Sequence, residues 1–321
     1  MVTDAASILA PAIDHLRNNG VAVEVIADGT APAEAARQAA HSPVVIIGVM
    51  PFRDAEITTL EETRLIIRAG IGFDMVDIEA ATAAGILVAN VPDFCVDEVA
   101  DHTTALLLAA MRRLPQALST WRDQHDWHVT SQLPTPRRLR GKRLGLIGLG
   151  RIGQQVAARA AGFGMETVGF DPMLPAGSDL ENVSVLDLDE VLGTSDVVSL
   201  HCPLTEATHH LINAVSLATT KPGVVLINTS RGGLIDLDAL AEAVDSGSVG
   251  VAALDVLDGE PAPDLDNPLL AHDNVIITSH MAWYSVEAQH ELAMNTAREA
   301  LRFLDGESIR NPVNPEMLES E

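Results

Sequence analysis

Apolar residues along this chain fall in short runs rich in Val, Ile and Leu, separated by Ala-rich stretches with helical spacing. Such runs, with few polar interruptions, mark strands buried on both faces. In the first part they are VAVEVI (21–26), VVIIGV (44–49), RLIIRA (64–69) and ILVANV (86–91), with helical segments at 31–40 and 77–85 between them. A short opening strand is expected in MVTD, before a helix near Ala6. Residues 95–120 read as one longer helix broken at Pro115, since proline removes a donor and clashes with the preceding turn. A polar arm, WRDQHDWHVTSQLPTPRR (121–138), follows. A second series then begins: RLGLIGL (143–149), ETVGFD (166–171), DVVSLHC (196–202), VVLINTS (224–230), GVAALDV (250–256) and NVIITSH (274–280). The last helix, 285–306, ends on Gly306, where a C-cap is expected.

Strands alternating with helices predict parallel βαβ layers. The final helix is long enough to carry the chain back to the first series. The expectation is an α/β protein with one domain inserted into a discontinuous second one, and a cleft between them. The boundaries place 1–98 and 286–321 in the split domain and 99–285 in the inserted one.

Composition narrows the partners. The chain has 321 residues, 45 acidic against 20 basic, and a formal net charge of −25. That charge repels nucleic acid and anionic membranes. No apolar run reaches the roughly 18 residues of a membrane span, and the N-terminus lacks a basic signal-peptide region. Cys95 and Cys202 are far apart and suit a reducing cytoplasm better than a disulfide framework. His209 and His210 have no cysteine or second cluster nearby, so no metal site is expected.

Within the inserted domain, Gly148-Leu149-Gly150-Arg151-Ile152-Gly153 stands after the first strand of the second series and before an amphipathic helix. GxGxxG in that context is a dinucleotide fingerprint. The first glycine permits the tight turn, the second the approach of a pyrophosphate, the third close helix–strand packing. The helix N-terminus faces the phosphates. Asp171 ends the next strand, where an acid accepts from a ribose 2′-hydroxyl and repels a 2′-phosphate, favouring NAD over NADP. The inserted domain is therefore expected to be a Rossmann NAD-binding domain.

Later strand ends carry Arg231 in NTSRGG, Asp255 and Glu260 in LDVLDGEP, and His280 in TSHMAW. Open α/β sheets bind ligands at these ends. Oxidising a secondary alcohol needs a base as hydride leaves, and histidine suits that role near neutral pH. A carboxylate such as Glu260 fixes the tautomer of the imidazole. The planar fork of Arg231 suits a substrate carboxylate and carbonyl.

RAGIGFDMVD, GLIGLGRIG with Asp171, HCPLTEATHHLIN, LINTSRGGLID, GVAALDVLDGEP and SHMAW together resemble the D-isomer-specific 2-hydroxyacid dehydrogenase family over nearly the full chain. HMAWYS and VPDFCVDEVAD look most like its C-terminal-binding-protein branch and bacterial relatives. The resemblance implies two doubly wound parallel-sheet domains, the split one flavodoxin-like and substrate-binding. It implies Arg231, Glu260 and His280 as catalytic residues and Asp255 as a nicotinamide contact. Cys202, Pro203, Thr208, Thr229 and Ser230 match cofactor-lining positions. Backbone N–H groups of Ala69, Gly70 and Ile71, with Arg68 nearby, match the substrate-carboxylate loop, and Trp283 matches a wall beside the substrate side chain. Met75 stands where the family commonly has Asn, which bonds the loop backbone as Met does not. The implied activity interconverts D-2-hydroxy acids and 2-keto acids with NAD. Two alternatives are an NAD(H)-sensing corepressor-like protein with little turnover and a same-fold enzyme of phosphite or formate. A homodimer through residues 101–140, with Trp121 and Trp127, is implied as well.

Overall fold

Each predicted strand of the first series, where it forms, is shorter than its apolar run. The computed structural model describes residues 7–125, 127, 133–260 and 262–318. Contacts group the chain into two units, Met1–Cys95 with Tyr284–Glu321, and Val96–Trp283. The first holds α1 (Ala10–Asn18), α2 (Pro32–Ala39), β1 (Val44–Ile47), α3 (Asp54–Ile57), β2 (Leu65–Arg68), α4 (Ile78–Ala83) and β3 (Leu87–Asn90). β1, β2 and β3 are parallel neighbours in that order. Their core joins Val45, Ile47, Ile66 and Val88 to Ala35, Ala36 and Ala39 of α2 and to Phe52. The run 21–26 differs from expectation: it is irregular apart from a bridge position at Val25, and only Ile26 is buried. A β-branched run becomes a strand only with a paired neighbour. MVTD, the expected opening strand, lies outside the described residues.

The second unit runs α5 (Val96–Arg112), α6 (Leu114–Gln124), β4 (Arg143–Ile147), α7 (Arg151–Gly162), β5 (Glu166–Phe170), β6 (Asp179–Leu180), β7 (Val183–Val185), α8 (Leu188–Thr194), β8 (Val197–Leu200), α9 (Ala214–Thr219), β9 (Val224–Asn228), α10 (Leu237–Asp245), β10 (Val249–Leu254) and β11 (Val275–Ile277). The helix break falls at Arg113, in left-handed conformation at φ 54°, and Pro115 sits in the first turn of α6. That turn needs no N–H from proline, so Pro115 starts a helix rather than interrupting one.

Sheet order is β11-β10-β9-β8-β4-β5-β7-β6, parallel throughout except the β6–β7 pair. Strand alternation divides the apolar residues between two cores. Leu144, Leu146, Val225, Ile227, Val251 and Ala253 join one with α5 and α7, while Ile147, Val198, Leu200, Leu226 and Leu254 join another with α10. The uninterrupted apolar runs are thus explained by helices on both faces. From β4 the chain moves to β5 on one side and later to β8 on the other, a topological switch point whose C-terminal crevice is the expected ligand site.

The chain then returns to the first unit with α11 (Val286–Leu304), which packs on α1. Ser285 Oγ caps it by accepting the Ala288 N–H, and Gly306, at φ 75°, closes its C-terminus as expected. Asn314, 1% exposed, accepts from Val88 N and donates to the Ile86 carbonyl, stitching the following tail to β3.

Candidate active site

Gly148 follows β4 at φ 99°, and a Cβ there would lie 2.6 Å from the His201 backbone. Only glycine lets this turn lie against the end of β8. A Cβ on Gly153 would lie 2.3 Å from the Gly148 carbonyl oxygen, so the third glycine lets α7 close on the turn. At Gly150 a Cβ would meet nothing within 4 Å, and no side chain caps α7 there. The second glycine and the first turn of α7, with Arg151 and Ile152, are therefore open to an anion. Asp171 follows β5; its Oδ2 accepts from Leu149 N and its Oδ1 from Met173 N, both at 3.0 Å. Each oxygen retains a lone pair for a ribose hydroxyl. These residues fit a dinucleotide.

Beyond β8, burial, with the Asp171 charge adding to it, pushes the Cys202 thiol up to about 11, so it stays protonated and is no nucleophile. Thr208 Oγ1 donates to the Pro203 carbonyl and accepts from Thr205 N, which shapes the loop after Cys202. Ser230 Oγ donates to the Leu200 carbonyl at 2.9 Å and ties the end of β9 to β8. Thr229 Oγ1 lies 2.8 Å from Thr103 Oγ1.

His280, Glu260 and Arg231 come together at the same sheet edge. His280 Nδ1 lies 2.5 Å from Glu260 Oε2. The His280 side chain is 43% exposed, and Nε2 has no partner among the described residues. A carboxylate only accepts, so Nδ1 carries a hydrogen in either charge state, and in the neutral ring the Nε2 lone pair faces outward. Burial alone would raise the Glu260 carboxyl. Hydrogen bonds from His280 and Leu257 N, with the charges of His280 and Arg231, outweigh it and hold Glu260 below the ordinary carboxylate range. Gly232 explains why Arg231 sits beside that loop: a Cβ there would fall 1.9 Å from the Leu257 carbonyl carbon, so the two loops touch backbone to backbone. Arg231 Nη1 also donates to the Ser230 carbonyl.

Asp255, 1% exposed, organises the histidine turn. Its backbone carbonyl accepts from His280 N at 2.7 Å, and its carboxylate from Met281 N at 3.0 Å and Ala282 N at 2.9 Å. His280 is held at φ 51°, a left-handed conformation uncommon outside glycine. Trp283 is half-buried at the end of this turn, whereas Tyr284 is 56% exposed and plugs no core.

In the first unit, the loop after β2 shows a geometry that the motif did not reveal. Ala69 N donates to the Ile47 carbonyl and Gly70 N to the Arg68 carbonyl. The ladder to β1 therefore uses the Ala69 amide, and Ile71 N is the amide of the three without a partner among the described residues. Asn90 Nδ2 holds the Ile71 carbonyl at 2.6 Å. Met75 is not inert: its thioether accepts from Arg68 Nε at 3.4 Å, a weak bond that nevertheless orients the arginine.

Two residues went unnoticed in the sequence. Asn228, fully buried, accepts from Ser230 N and donates to the Arg231 carbonyl, fixing the arginine loop. His201 is half-buried, with its backbone against Gly148 and its ring bonded to Ser199 Oγ, and burial of the ring pushes it down to about 4. A polar residue closing an apolar run was the available signal for both. Among the described residues no group of three His, Cys, Asp or Glu gathers to hold a metal ion; His209 and His210 stack on each other at 3.9 Å.

Residues 104–282 match the family model described as the NAD-binding domain of D-isomer specific 2-hydroxyacid dehydrogenases. A D-3-phosphoglycerate dehydrogenase of Archaeoglobus fulgidus is 38% identical over 97% of this chain and 58% of its own length. One from Methanocaldococcus jannaschii is 42% identical over 84% of this chain and 51% of its own. The chain thus spans about half the length of the curated relatives it matches. Among solved structures, a Thermus thermophilus protein shares 37% identity over 94% of this chain and 96% of its own, with a TM-score of 0.85. An Aquifex aeolicus D-lactate dehydrogenase, solved with NAD and lactic acid, has the same TM-score at 27% identity, over 100% of this chain and 97% of its own. With the glycine cradle and Asp171 in place, these likenesses establish that the chain belongs to the D-isomer specific 2-hydroxyacid dehydrogenase family and takes NAD as its cofactor.

Proposed function

We propose that this protein is an NAD-dependent oxidoreductase interconverting D-2-hydroxy acids and 2-keto acids. The observation that carries the reading is the His280–Glu260 pair, with its outward Nε2 lone pair and Arg231 alongside. The cofactor supplies or removes a hydride at its nicotinamide ring. In oxidation, His280 Nε2 takes the hydroxyl proton, and the Glu260 carboxylate stabilises the imidazolium that forms. In reduction the imidazolium returns that proton to the carbonyl oxygen. Arg231 binds the carboxylate and polarises the carbonyl through its two-pronged donor set. Asp255 keeps a lone pair on Oδ2 for the carboxamide, and Asp171 disfavours a 2′-phosphate. Cys202, Pro203, Thr208, Thr229 and Ser230 line the cofactor. Ile71 N–H, with Ala69, Gly70 and Arg68 shaping its loop, holds the substrate carboxylate, and Trp283 walls the side chain.

We assign 1–98 and 286–321 to the substrate domain, 99–285 to the cofactor domain, and the protein to the cytoplasm as a homodimer. No helix among the described residues is long and apolar enough to cross a membrane.

The test is NADH consumption against glyoxylate, hydroxypyruvate, pyruvate, phenylpyruvate and 4-methylthio-2-oxobutyrate, with NADPH as control. The reverse assay uses D-lactate and D-3-phosphoglycerate, since relatives carry the latter name. His280→Ala is expected to lower kcat by roughly 10²- to 10⁴-fold, the usual contribution of a positioned acid–base. NADH binding without turnover on any of these compounds overturns the reading and favours a cofactor sensor.

A further inference from the structure

α5 touches the catalytic edge of its own sheet through His102. Its Nε2 lies 3.0 Å from Thr278 Oγ1 and 3.5 Å from Asp255 Oδ1. Thr278 Oγ1 lies 2.5 Å from Asp255 Oδ1. The directions of these bonds follow from proton counting. A carboxylate accepts only, and a threonine hydroxyl has one hydrogen, so Thr278 donates to Asp255. Thr278 Oγ1 must then accept from His102, which places a hydrogen on His102 Nε2. The chain runs from His102 Nε2–H to Thr278 Oγ1–H to Asp255 Oδ1.

Asp255 receives the N–H groups of Met281 and Ala282 on its carboxylate, and that of His280 on its carbonyl. The turn that aims the His280 ring is thus anchored on one buried residue, whose side chain is oriented from behind by His102 through Thr278. The neighbouring helix residue acts in parallel. Thr103 Oγ1 donates to the Val99 carbonyl at 2.7 Å, so the Thr229 hydroxyl must donate to Thr103. Consecutive residues of α5 therefore fix the ends of β9 and β11.

We propose that His102 is a positioning residue for the hydride-transfer reaction, donating from Nε2 through Thr278 to hold Asp255 and with it the His280 turn. This inference rests on the dehydrogenase reading for its kinetic consequence only; the hydrogen-bond chain stands without it.

Three single variants test it in the 321-residue chain: His102→Leu, which removes the donor, His102→Gln, which restores an N–H at similar reach, and Thr278→Val, which breaks the hydrogen-bond chain isosterically. With the best keto acid, Thr278→Val is expected to lower kcat roughly tenfold or more, the size of a lost bond to a charged group, and His102→Leu by roughly three- to tenfold, the size of a lost bond to a neutral hydroxyl. The keto-acid KM is expected to stay within about twofold, since ground-state binding is untouched. His102→Gln is expected to recover most of kcat. The double variant His102→Leu/Thr278→Val is expected to fall no further than Thr278→Val alone, as members of one chain do. A filler of space predicts instead that Leu is the better tolerated replacement.

The second readout needs no turnover. In ¹⁵N-histidine NMR of the wild type, His102 is expected as the Nε2–H tautomer. The His280 ring signals are expected to move in His102→Leu and Thr278→Val and to return in His102→Gln. Unmoved His280 signals, or glutamine as damaging as leucine, overturn the proposal. Wild type without turnover, but with the NMR pattern intact, defeats the dehydrogenase reading and leaves the positioning chain standing.

Discussion

Glu260 does two things with one carboxylate, and they respond differently to change. It orients His280 by accepting from Nδ1, and its negative charge stabilises the imidazolium. Glu260→Gln keeps an acceptor but not the charge, so kcat is expected to fall by about ten- to a hundredfold, the worth of a charge-assisted bond. An unchanged kcat in steady-state assays would remove Glu260 from the catalytic set. Because the folded protein holds this carboxyl below its unfolded value, the pair contributes stability above that unfolded value and loses it as pH falls through the folded one. His201 acts in a higher window. Burial pushes it from 6.5 down to about 4. As pH drops from 6.5 to 4 the unfolded chain binds a proton that the folded one refuses, so stability present above 6.5 declines across that window. The loss from this group is at most about 3 kcal/mol. Urea midpoints at pH 7 and 5 should differ less in His201→Asn than in wild type; equal differences would assign the acid lability elsewhere. The site was legible wherever chemistry demands a distinctive residue: Arg231, Glu260 and His280 each stand at a strand end with a reason to be there. Asn228, His201 and Thr278 were not legible as site residues, because their effect depends on what lies behind them in three dimensions.

Strands and loops show the same division. β4, β8, β9 and β10 were legible because burial on both faces forces mostly apolar runs, and β5 and the half-buried edge strand β11 by their place in the strand–helix alternation, while β6 and β7 are too short for any periodicity. The 21–26 run has the composition of a strand and does not form one, since pairing is a property of the neighbour as much as of the segment. The break at Arg113 rather than Pro115 shows proline choosing the start of a helix. Loop contacts left a fainter trace: two glycines after Arg231 signalled a turn, but not that Gly232 lies against Leu257 and Asp258. Gly232→Ala should therefore push the arginine loop from the glutamate loop. Forcing a methyl into packed backbone costs about 1–3 kcal/mol, so a lower Tm is expected together with a kcat loss larger than that of a surface Gly→Ala such as Gly162→Ala. A variant with wild-type Tm and kcat would mean that the two loops are not held together by this contact.

A net charge of −25 bears on the proposed homodimer, because every copy carries it. α6 buries none of its residues. Leu114, Leu118 and Trp121, at i, i+4 and i+7, form one exposed apolar stripe, and Trp127 stacks edge-on against Trp121 with ring centroids 6.1 Å apart. Contiguous apolar surface on a strongly charged protein marks a place where another surface fits. With a second copy as the partner, two opposed forces act: burial of the stripe favours association, and the like charge of the protomers resists it. Salt acts on the second, because the screening length falls from about 10 Å at 0.1 M to about 3 Å at 1 M. The dimer is therefore expected to tighten as sodium chloride rises, the opposite of an interface held by ion pairs. Sedimentation at micromolar concentration should show a dimer in wild type at moderate salt, and Leu118→Glu with Trp121→Glu should convert it to monomer while leaving the far-ultraviolet circular dichroism unchanged. A wild-type monomer at every salt concentration would remove the homodimer. A dimer that loosens with salt would keep it but move its basis from this stripe to charged contacts elsewhere.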